Sequence, residues 1–365
     1  MGPFRGYRTG AFVDSQPTGL LGGDRGFSTG FDSYEHAPFV EGSVYDYDAR
    51  RTVDRAIEWL KPSPGPFFLF VHTKSVHATP SYREDSNRVL TPYHKPAEYM
   101  RRFISESESL YDWNGGLRSG VKHLRLLNER IALGEPVRDQ ISAAKLKQLI
   151  ATYDGGIFYV DEQIGRLFRH MEASGLRENT IVIVTADHGA AFLDHRFFLH
   201  KELHRPLLRV PLLVYDPRNP GGSRRVSSPV SLLDVSPTVM ALCGLEASSA
   251  DEGRPLPAED GDLPSRPFAF YSQIEDKDVY NGFGWQEGDW KLLAHRLSGS
   301  ESTVIELFDT ASDPEERAPV KSEPQRAAEM AARMRAWFYG AMEGGSTLDL
   351  DAEAIENLRA LGYVK

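Results

Sequence analysis

The chain has 365 residues, with 42 Lys and Arg against 52 Asp and Glu, giving a formal charge of −10. Apolar residues make up 41% and charged residues 26%, ordinary globular proportions that exclude disorder, collagen and coiled coil as whole-chain descriptions. No run approaches the roughly 18 apolar residues that cross a bilayer, and a pI near 5.6 without a dominant basic stretch argues against a nucleic-acid partner.

In chain order, Met1-Gly-Pro-Phe-Arg-Gly-Tyr-Arg8 has no apolar core and does not read as a signal peptide. Gly6–Val13 reads as a turn running into a short strand, and Tyr45–Leu60 carries apolar or small residues at helical spacing. Pro62-Ser-Pro-Gly-Pro66 breaks the chain before Phe67–Val71, five apolar residues that predict a strand buried on both faces of a parallel sheet. Residues 81–142 are polar and weakly patterned apart from a helix near Val121–Ile131, and read as an insertion over one end of the sheet. Ala144–Ser174 repeats apolar positions every three or four residues, a helix with a break expected at Gly155-Gly156 and a stop at Gly175. Asn179–Val184 and Arg209–Tyr215 are two further apolar strands, and Ser231–Cys243 is a helix with Asp234 in its first turn. Cys243, the only cysteine, reads as a small buried hydrophobe; alone it makes neither an intrachain disulfide nor a thiolate zinc site.

Alternating strands and helices predict an α/β fold over 1–246, with a largely parallel sheet sandwiched by helices. Residues 247–266, rich in Ser, Asp, Glu, Gly and Pro, read as a linker or surface loop. Residues 267–365 then form a smaller α+β subdomain, with strands at Phe268–Gln273, Trp290–Ala294 and Val304–Phe308 and a helix over 323–338.

Two of the apolar strands end in text that builds sites, and open α/β sheets bind ligands beyond the carboxyl ends of their strands. Thr185-Ala-Asp187-His188-Gly189 follows one, and His72-Thr-Lys74-Ser-Val-His77 follows the other. Of 11 histidines, four (His188, His195, His200, His204) fall between 188 and 204. Asp187 supplies a hard oxygen ligand and His188 a nitrogen, although an Asp there also suits a helix cap or an Asx turn. Leu199-His200-Lys201-Glu202-Leu203-His204-Arg205 reads either as a solvated basic loop or as a loop closing on an anion. In the second reading His200 or Lys201 donates to an oxygen of a doubly charged oxyanion such as sulfate or phosphate.

These residues resemble the type I sulfatases of the alkaline-phosphatase superfamily. The resemblance rests on Ile181-Val-Ile-Val-Thr-Ala-Asp-His-Gly189, on His200, and on Leu208-Arg-Val-Pro-Leu-Leu-Val214. It extends to Tyr153–Gly165, to Pro66–His72 with His77 beyond, and to Gly6–Val13 with Asp24–Asp32. In the C-terminal part it covers Glu306-Leu-Phe-Asp309, Asp313–Arg317 and Leu358–Tyr363. It implies an alkaline-phosphatase-like fold and calcium-assisted hydrolysis of sulfate esters, with a sulfated small molecule or glycan as partner. By the same resemblance Asp187 and His188 are metal ligands, and His77 with His200 or Lys201 are catalytic. His72, Lys74 and His204 contact the substrate. A phosphodiester or phosphonate hydrolase on the same scaffold, or a non-catalytic binder of sulfated glycans, are the alternatives.

The family makes its nucleophile, a formylglycine, from Cys or Ser in Cys/Ser-x-Pro-x-Arg. Cys243 is followed by Gly-Leu-Glu, and Ser231 and Ser236 do not fit, so the nucleophile is expected to be missing, as are the paired aspartates of the metal site. The expectation is therefore a chain that starts after the family's N-terminal block, inactive and poorly soluble alone. Export of the full-length protein fits the family.

Overall fold

A computed structural model describes residues 6–14, 21–23, 26–36, 48–61, 65–78, 92–105, 120–137, 141–219, 223–246, 252–256, 266–272, 280–297 and 303–343. The expected tail motif Leu358–Tyr363, Asp24, the breaker at Pro62–Pro64 and most of the 247–266 loop lie outside these residues. The elements in order are β1 (Arg8–Val13), β2 (Ser33–His36), α1 (Ala49–Leu60), β3 (Phe67–His72), α2 (Ala97–Met100), α3 (Gly120–Ala132) and α4 (Ala143–Ala173). There follow β4 (Val182–Thr185), β5 (Ala191–Phe192), β6 (Phe198–Leu199), α5 (Arg205–Leu208), β7 (Leu212–Tyr215) and α6 (Val235–Leu242). The last are β8 (Phe268–Ser272), β9 (Tyr280–Glu287), β10 (Trp290–Leu297), β11 (Val304–Asp309) and α7 (Pro324–Glu343). The chain divides into two units, one of 1–127, 137–182 and 214–220, the other of 128–136, 183–213 and 221–365. Residues 183–213 fall in the same unit as the C-terminal sheet.

In the first unit β2, β1 and β3 pair parallel in that order, with Arg8 opposite Phe67 and Val13 opposite His72. Helix α1 starts at Asp48, whose carboxylate accepts from the Arg50 amide and from the Tyr159 hydroxyl of α4. Its Val53, Ala56 and Leu60 are buried. Trp59 lies so close to β1 that a Cβ on Gly10 would come 2.8 Å from its ring, which makes that position a glycine for packing reasons. The Arg8 guanidinium also sits 3.7 Å over the Trp59 ring. The opposite face of β3 is covered incompletely, by Phe31 stacked on Phe68 at 6.0 Å, and Phe70 stays 40% exposed. The expectation of burial on both faces is therefore not met there.

Helix α4 runs unbroken for 31 residues through Gly155-Gly156. Gly155 serves close approach instead of a kink: a Cβ there would lie 3.0 Å from the Met100 Cα of α2, whereas one on Gly156 would meet nothing nearer than 3.9 Å. Gly175, at φ +69°, then ends the helix, with Leu176 N–H donating to Met171 and Gly175 N–H to Glu172. Strands β4 and β7 pair with each other. Leu213 and Val214 of β7 are 59% and 42% exposed, against the buried strand its composition suggests.

In the second unit β11, β10, β9 and β8 form an antiparallel sheet, with β9 an element that sequence reading missed. Phe283, Trp285, Leu292 and Leu307 of this sheet pack with Met330, Ala331 and Met334 of α7. A second cluster joins Leu293 and Phe308 of the sheet to Phe197 and Leu203. Asp234 is buried, accepting from Ser231 N–H and, at 2.5 and 2.7 Å, from Arg266, so the expected acidic residue of that first turn is an internal anchor. Cys243 caps α6 and is half-buried, since a C-terminal cap keeps one side to solvent.

Under the sheet, Lys291 Nζ donates to both oxygens of Glu316 at 2.8 and 2.9 Å, with side chains only 2% and 4% exposed. Glu316 holds a φ of +56° to do so and also accepts from the Arg205 amide at 3.0 Å. Burial lowers the Lys291 pKa and the Glu316 charge opposes that. Breaking such a pair on one side leaves an uncompensated charge, whereas removing both halves does not. Lys291→Met should cost about 3–5 kcal/mol in urea unfolding followed by tryptophan fluorescence. Lys291→Met with Glu316→Leu should cost clearly less; an equal or larger loss would show that the charges themselves stabilise the unit.

Candidate functional site

Each unit presents basic and acidic side chains at a strand end. In the first, β3 delivers His72 and a tight turn in which His77 N–H donates to the Lys74 carbonyl at 2.8 Å. His72, Lys74 and His77 are all half-buried there. The turn is tied to the end of β1 by Asp14, which sequence reading passed over. Thr73 Oγ1 donates to Asp14 Oδ2 at 2.6 Å and Ser75 Oγ at 3.3 Å, while Ser75 Oγ accepts from the Ala49 amide at 2.8 Å. Asp14 is 1% exposed, and burial raises its pKa to about 7, against the Thr73 bond, the charge of Lys95 and the Ser75 bond. Its position next to an apolar strand was the only available signal; its environment is made entirely by residues far along the chain.

In the second unit β4 leads into Asp187-His188-Gly189. Asp187 Oδ1 accepts from His188 N–H at 3.0 Å, one residue on and so not the two-residue span of an Asx turn, and its side chain is 73% exposed. His188 Nδ1 lies 2.8 Å from the Gly189 carbonyl. Gly189 N–H donates to the Leu207 carbonyl at 2.8 Å, and a Cβ there would sit 2.0 Å from the Pro206 carbonyl oxygen. The turn is thus pressed against α5, and only glycine fits.

Between them, β5 and β6 form a short hairpin with Leu193 at φ +64°. The Asn128 side chain of α3 grips its second strand, donating to the Phe198 carbonyl at 3.0 Å and accepting from the Phe198 amide at 2.8 Å. Leu199 follows at φ +67°, a left-handed conformation that a leucine adopts only when its surroundings impose it. That turn brings the His200 ring 4.8 Å from the His188 ring. Lys201 is buried, at 6% exposure. The structure therefore gathers Asp187, His188 and His200. His204 faces elsewhere: its ring stacks on His195 at 3.8 Å with an interplanar angle of 14°, and meets Phe308 edge-on at 5.7 Å.

Asp187 and His188 are the candidate metal ligands. Calcium takes six to eight oxygens, and one exposed carboxylate beside one imidazole does not by itself fit that demand, so no chemical step is derived through a metal. His195, His204 and Glu316 also bring ligand atoms within 4.8 Å of one another. Stacked, nearly parallel rings cannot aim their in-plane lone pairs at one point, and Glu316 is already engaged by Lys291, so this cluster is not a metal centre. The Ser-x-Pro-x-Arg pattern, expected to be missing, occurs once, at Ser322-Glu-Pro-Gln-Arg326. It stands at the exposed start of α7, where Arg326 lies 4.4 Å over the Trp290 ring and 3.6 Å from Glu323.

A family profile described as Sulfatase matches residues 5–245, and one described as N-sulphoglucosamine sulphohydrolase, C-terminal, matches 193–340. Bovine (Bos taurus) arylsulfatase K is 24% identical over 285 residues, 73% of this chain and 50% of that protein. An uncharacterized sulfatase of Escherichia coli strain K12 is 27% identical over 283 residues, with coverage of 73% and 50%. The chain spans about half the length of the curated relatives it matches. Among solved structures, a protein in complex with its substrate D-glucosamine-2-N,6-O-disulfate aligns over 93% of this chain and 81% of its own, at 19% identity and TM-score 0.59. The phosphonate monoester hydrolase of Agrobacterium radiobacter aligns over 92% and 78%, at 18% identity and TM-score 0.60. These likenesses show an alkaline-phosphatase-like fold.

Gly189→Ala should destabilise the second unit by about 3 kcal/mol, the upper end of overpacking costs; a loss under about 0.5 kcal/mol in denaturant titration would mean the turn relaxes freely. For Asp14, a raised carboxyl pKa means stability present below its ordinary 3.8 and lost as pH rises toward about 7. Asp14→Asn should therefore gain on wild type by about 2 kcal/mol between pH 5 and pH 8. Parallel pH profiles of thermal stability for the two proteins would contradict that.

Proposed function

The chain belongs to the sulfatase family, and on that premise we propose that it carries the anion-binding and proton-donating side of a sulfate-ester hydrolase. The observation that carries the reading is the approach of His200 to His188 within one unit, directly beyond the Asp187-His188-Gly189 strand end. Imidazole and ammonium donors presented from a rigid turn suit the nonbridging oxygens of a sulfate monoester. When water takes up the sulfuryl group and the S–O bond to the alcohol breaks, the leaving alkoxide needs a proton, and His200 is the proposed donor because histidine is the residue type that most often serves as a general acid. Lys201, one residue on and buried, is proposed to supply positive charge to the same anion. In the other unit His77, together with His72 and Lys74 of the same strand end, is proposed as an anion contact. Metal dependence is general in the family; calcium as the ion is proposed from the resemblance, with Asp187 and His188 as two of its ligands.

The substrate proposed is a sulfated saccharide. Its support is the sulfohydrolase profile over 193–340 and a solved relative whose substrate is a disulfated glucosamine. A phosphonate or phosphodiester hydrolase is the second reading, favoured only by the shared fold. No group on these residues is placed as a nucleophile, since the single Ser-x-Pro-x-Arg lies at the exposed start of α7.

Binding without turnover is therefore the expected behaviour of this chain. Calorimetry with glucosamine 6-sulfate should show binding that His200→Ala weakens about tenfold, the scale of one charge-assisted hydrogen bond. No binding at millimolar sugar would sink the reading, and tighter binding of phenylphosphonate would favour the second one. Hydrolysis of 4-nitrophenyl sulfate by the purified chain with calcium would refute the missing nucleophile.

A further inference from the structure

The segment bearing His200 and Lys201 ends in a contact that neither the family reading nor the proposed chemistry uses. Glu202 is 1% exposed, and its Oε2 lies 3.4 Å from His204 Nδ1. Neither Glu202 oxygen nor that nitrogen makes a hydrogen bond of ordinary geometry with the described residues, although the amides of Arg196 and Phe197 point toward the carboxyl. A carboxylate buried that deeply, with only loosely aligned donors, is costly to keep charged. One arrangement meets the capacity of both groups without burying a charge: a proton on Glu202 and a lone pair on His204 Nδ1.

Burial and the neighbouring acid Glu306 support that arrangement, while His195, Arg196 and the two amides favour the charged form. On the hairpin, His195 stacks on His204, and Arg196 lies 3.9 Å from Glu306 of β11. From β10, Lys291 is committed to Glu316, and His295 lies 3.6 Å from Glu306. The carboxyl thus meets one neighbouring acid, Glu306, and cations that are already paired with other carboxylates. The turn it closes is also strained at Leu199 (φ +67°), and such strain persists only where surrounding contacts over-determine it.

We propose that Glu202 is a positioning residue, which as a neutral acid donates to His204 Nδ1 and holds the strained turn that presents His200 and Lys201. The role rests on the sulfate reading only in what the turn is for; the latch itself is a property of the second unit. Burial pushes the Glu202 carboxyl up from 4.5 to about 7, with His195, the two amides and Arg196 pulling the other way. An acid with a raised pKa in the closed state favours that state at low pH, and opening gains as pH rises. Burial lowers His204 to about 4, with Lys291 acting in the same direction and Glu316 against it. That imidazole favours opening on acidification, so the wild-type profile alone mixes two opposite trends.

The comparison that isolates Glu202 is with Glu202→Gln, whose amide donates as the neutral acid does but cannot ionise. Hydrogen exchange of peptides covering 194–208, corrected for intrinsic rates, is measured for both proteins at pH 6 and pH 8. The opening constant of wild type relative to Glu202→Gln should rise about tenfold over that interval. Glu202→Leu, also unable to ionise, gives the same comparison if the glutamine protein does not fold. A constant ratio, or a segment already loosened at pH 6 in the glutamine protein, would overturn the proposal. Inorganic sulfate is then added: slowed exchange over 199–202 is the result expected if these residues hold the anion. A tenfold change without slowing would keep the latch and sink the sulfate reading.

Discussion

Lys291 and Glu316 place two opposite charges 2.8 Å apart, almost fully out of water, beneath the C-terminal sheet. Neither tolerates that environment without the other, because burial of a lone charge costs several kcal/mol. The constraint spreads from there. Glu316 holds a left-handed backbone conformation beside the lysine, and its Oε2 accepts from the Arg205 amide as well as from Lys291. That fixes the start of α5, and α5 in turn sets the carbonyls of Pro206 and Leu207 against Gly189. A charge pair under a distant sheet therefore decides where the turn after β4 lies, and with it the direction of Asp187 and His188.

The segment between the hairpin and α5 is held at both ends and strained in the middle. Asn128 clamps Phe198 like an extra strand, and Leu203 packs among Phe197, Leu293 and Phe308. Between those ends, Leu199 takes a left-handed conformation (φ +67°) just before His200, whose ring lies 4.8 Å from that of His188. Such stored strain belongs to sites that must present a side chain in one orientation. In the other unit Asp14 plays a comparable part, drawing Thr73 and Ser75 onto the end of β1 so that the His72–His77 turn keeps its shape. In both cases a group that binds nothing itself organises the groups that would.

Several elements were legible because their signals are local. The apolar runs of β3, β4 and β7, the periodicity of α4 and the stop at Gly175 need only neighbouring residues, and all appear. Asp187-His188-Gly189 at a strand's carboxyl end was readable for the same reason. Gly155-Gly156 misled, since glycine weakens a helix locally but also admits Met100 at close range, and packing won. Strand β9 was missed because Gly282 and Gly284 interrupt its pattern; the first faces His295 and the second Leu293 across the sheet.

What the sequence determined by itself is the class of the fold and the chemistry available at two strand ends, since both follow from periodicity and residue type within short windows. What only tertiary structure decided is which of those residues meet. It stacked His204 on His195, buried Glu202 and Lys201 in a loop whose composition suits either a solvated face or an anion-binding one, and brought Glu316 to Lys291. It also put the Ser-x-Pro-x-Arg pattern at an exposed helix start. Burial and pairing depend on contacts between residues tens to hundreds of positions apart, and local spacing carries no record of them.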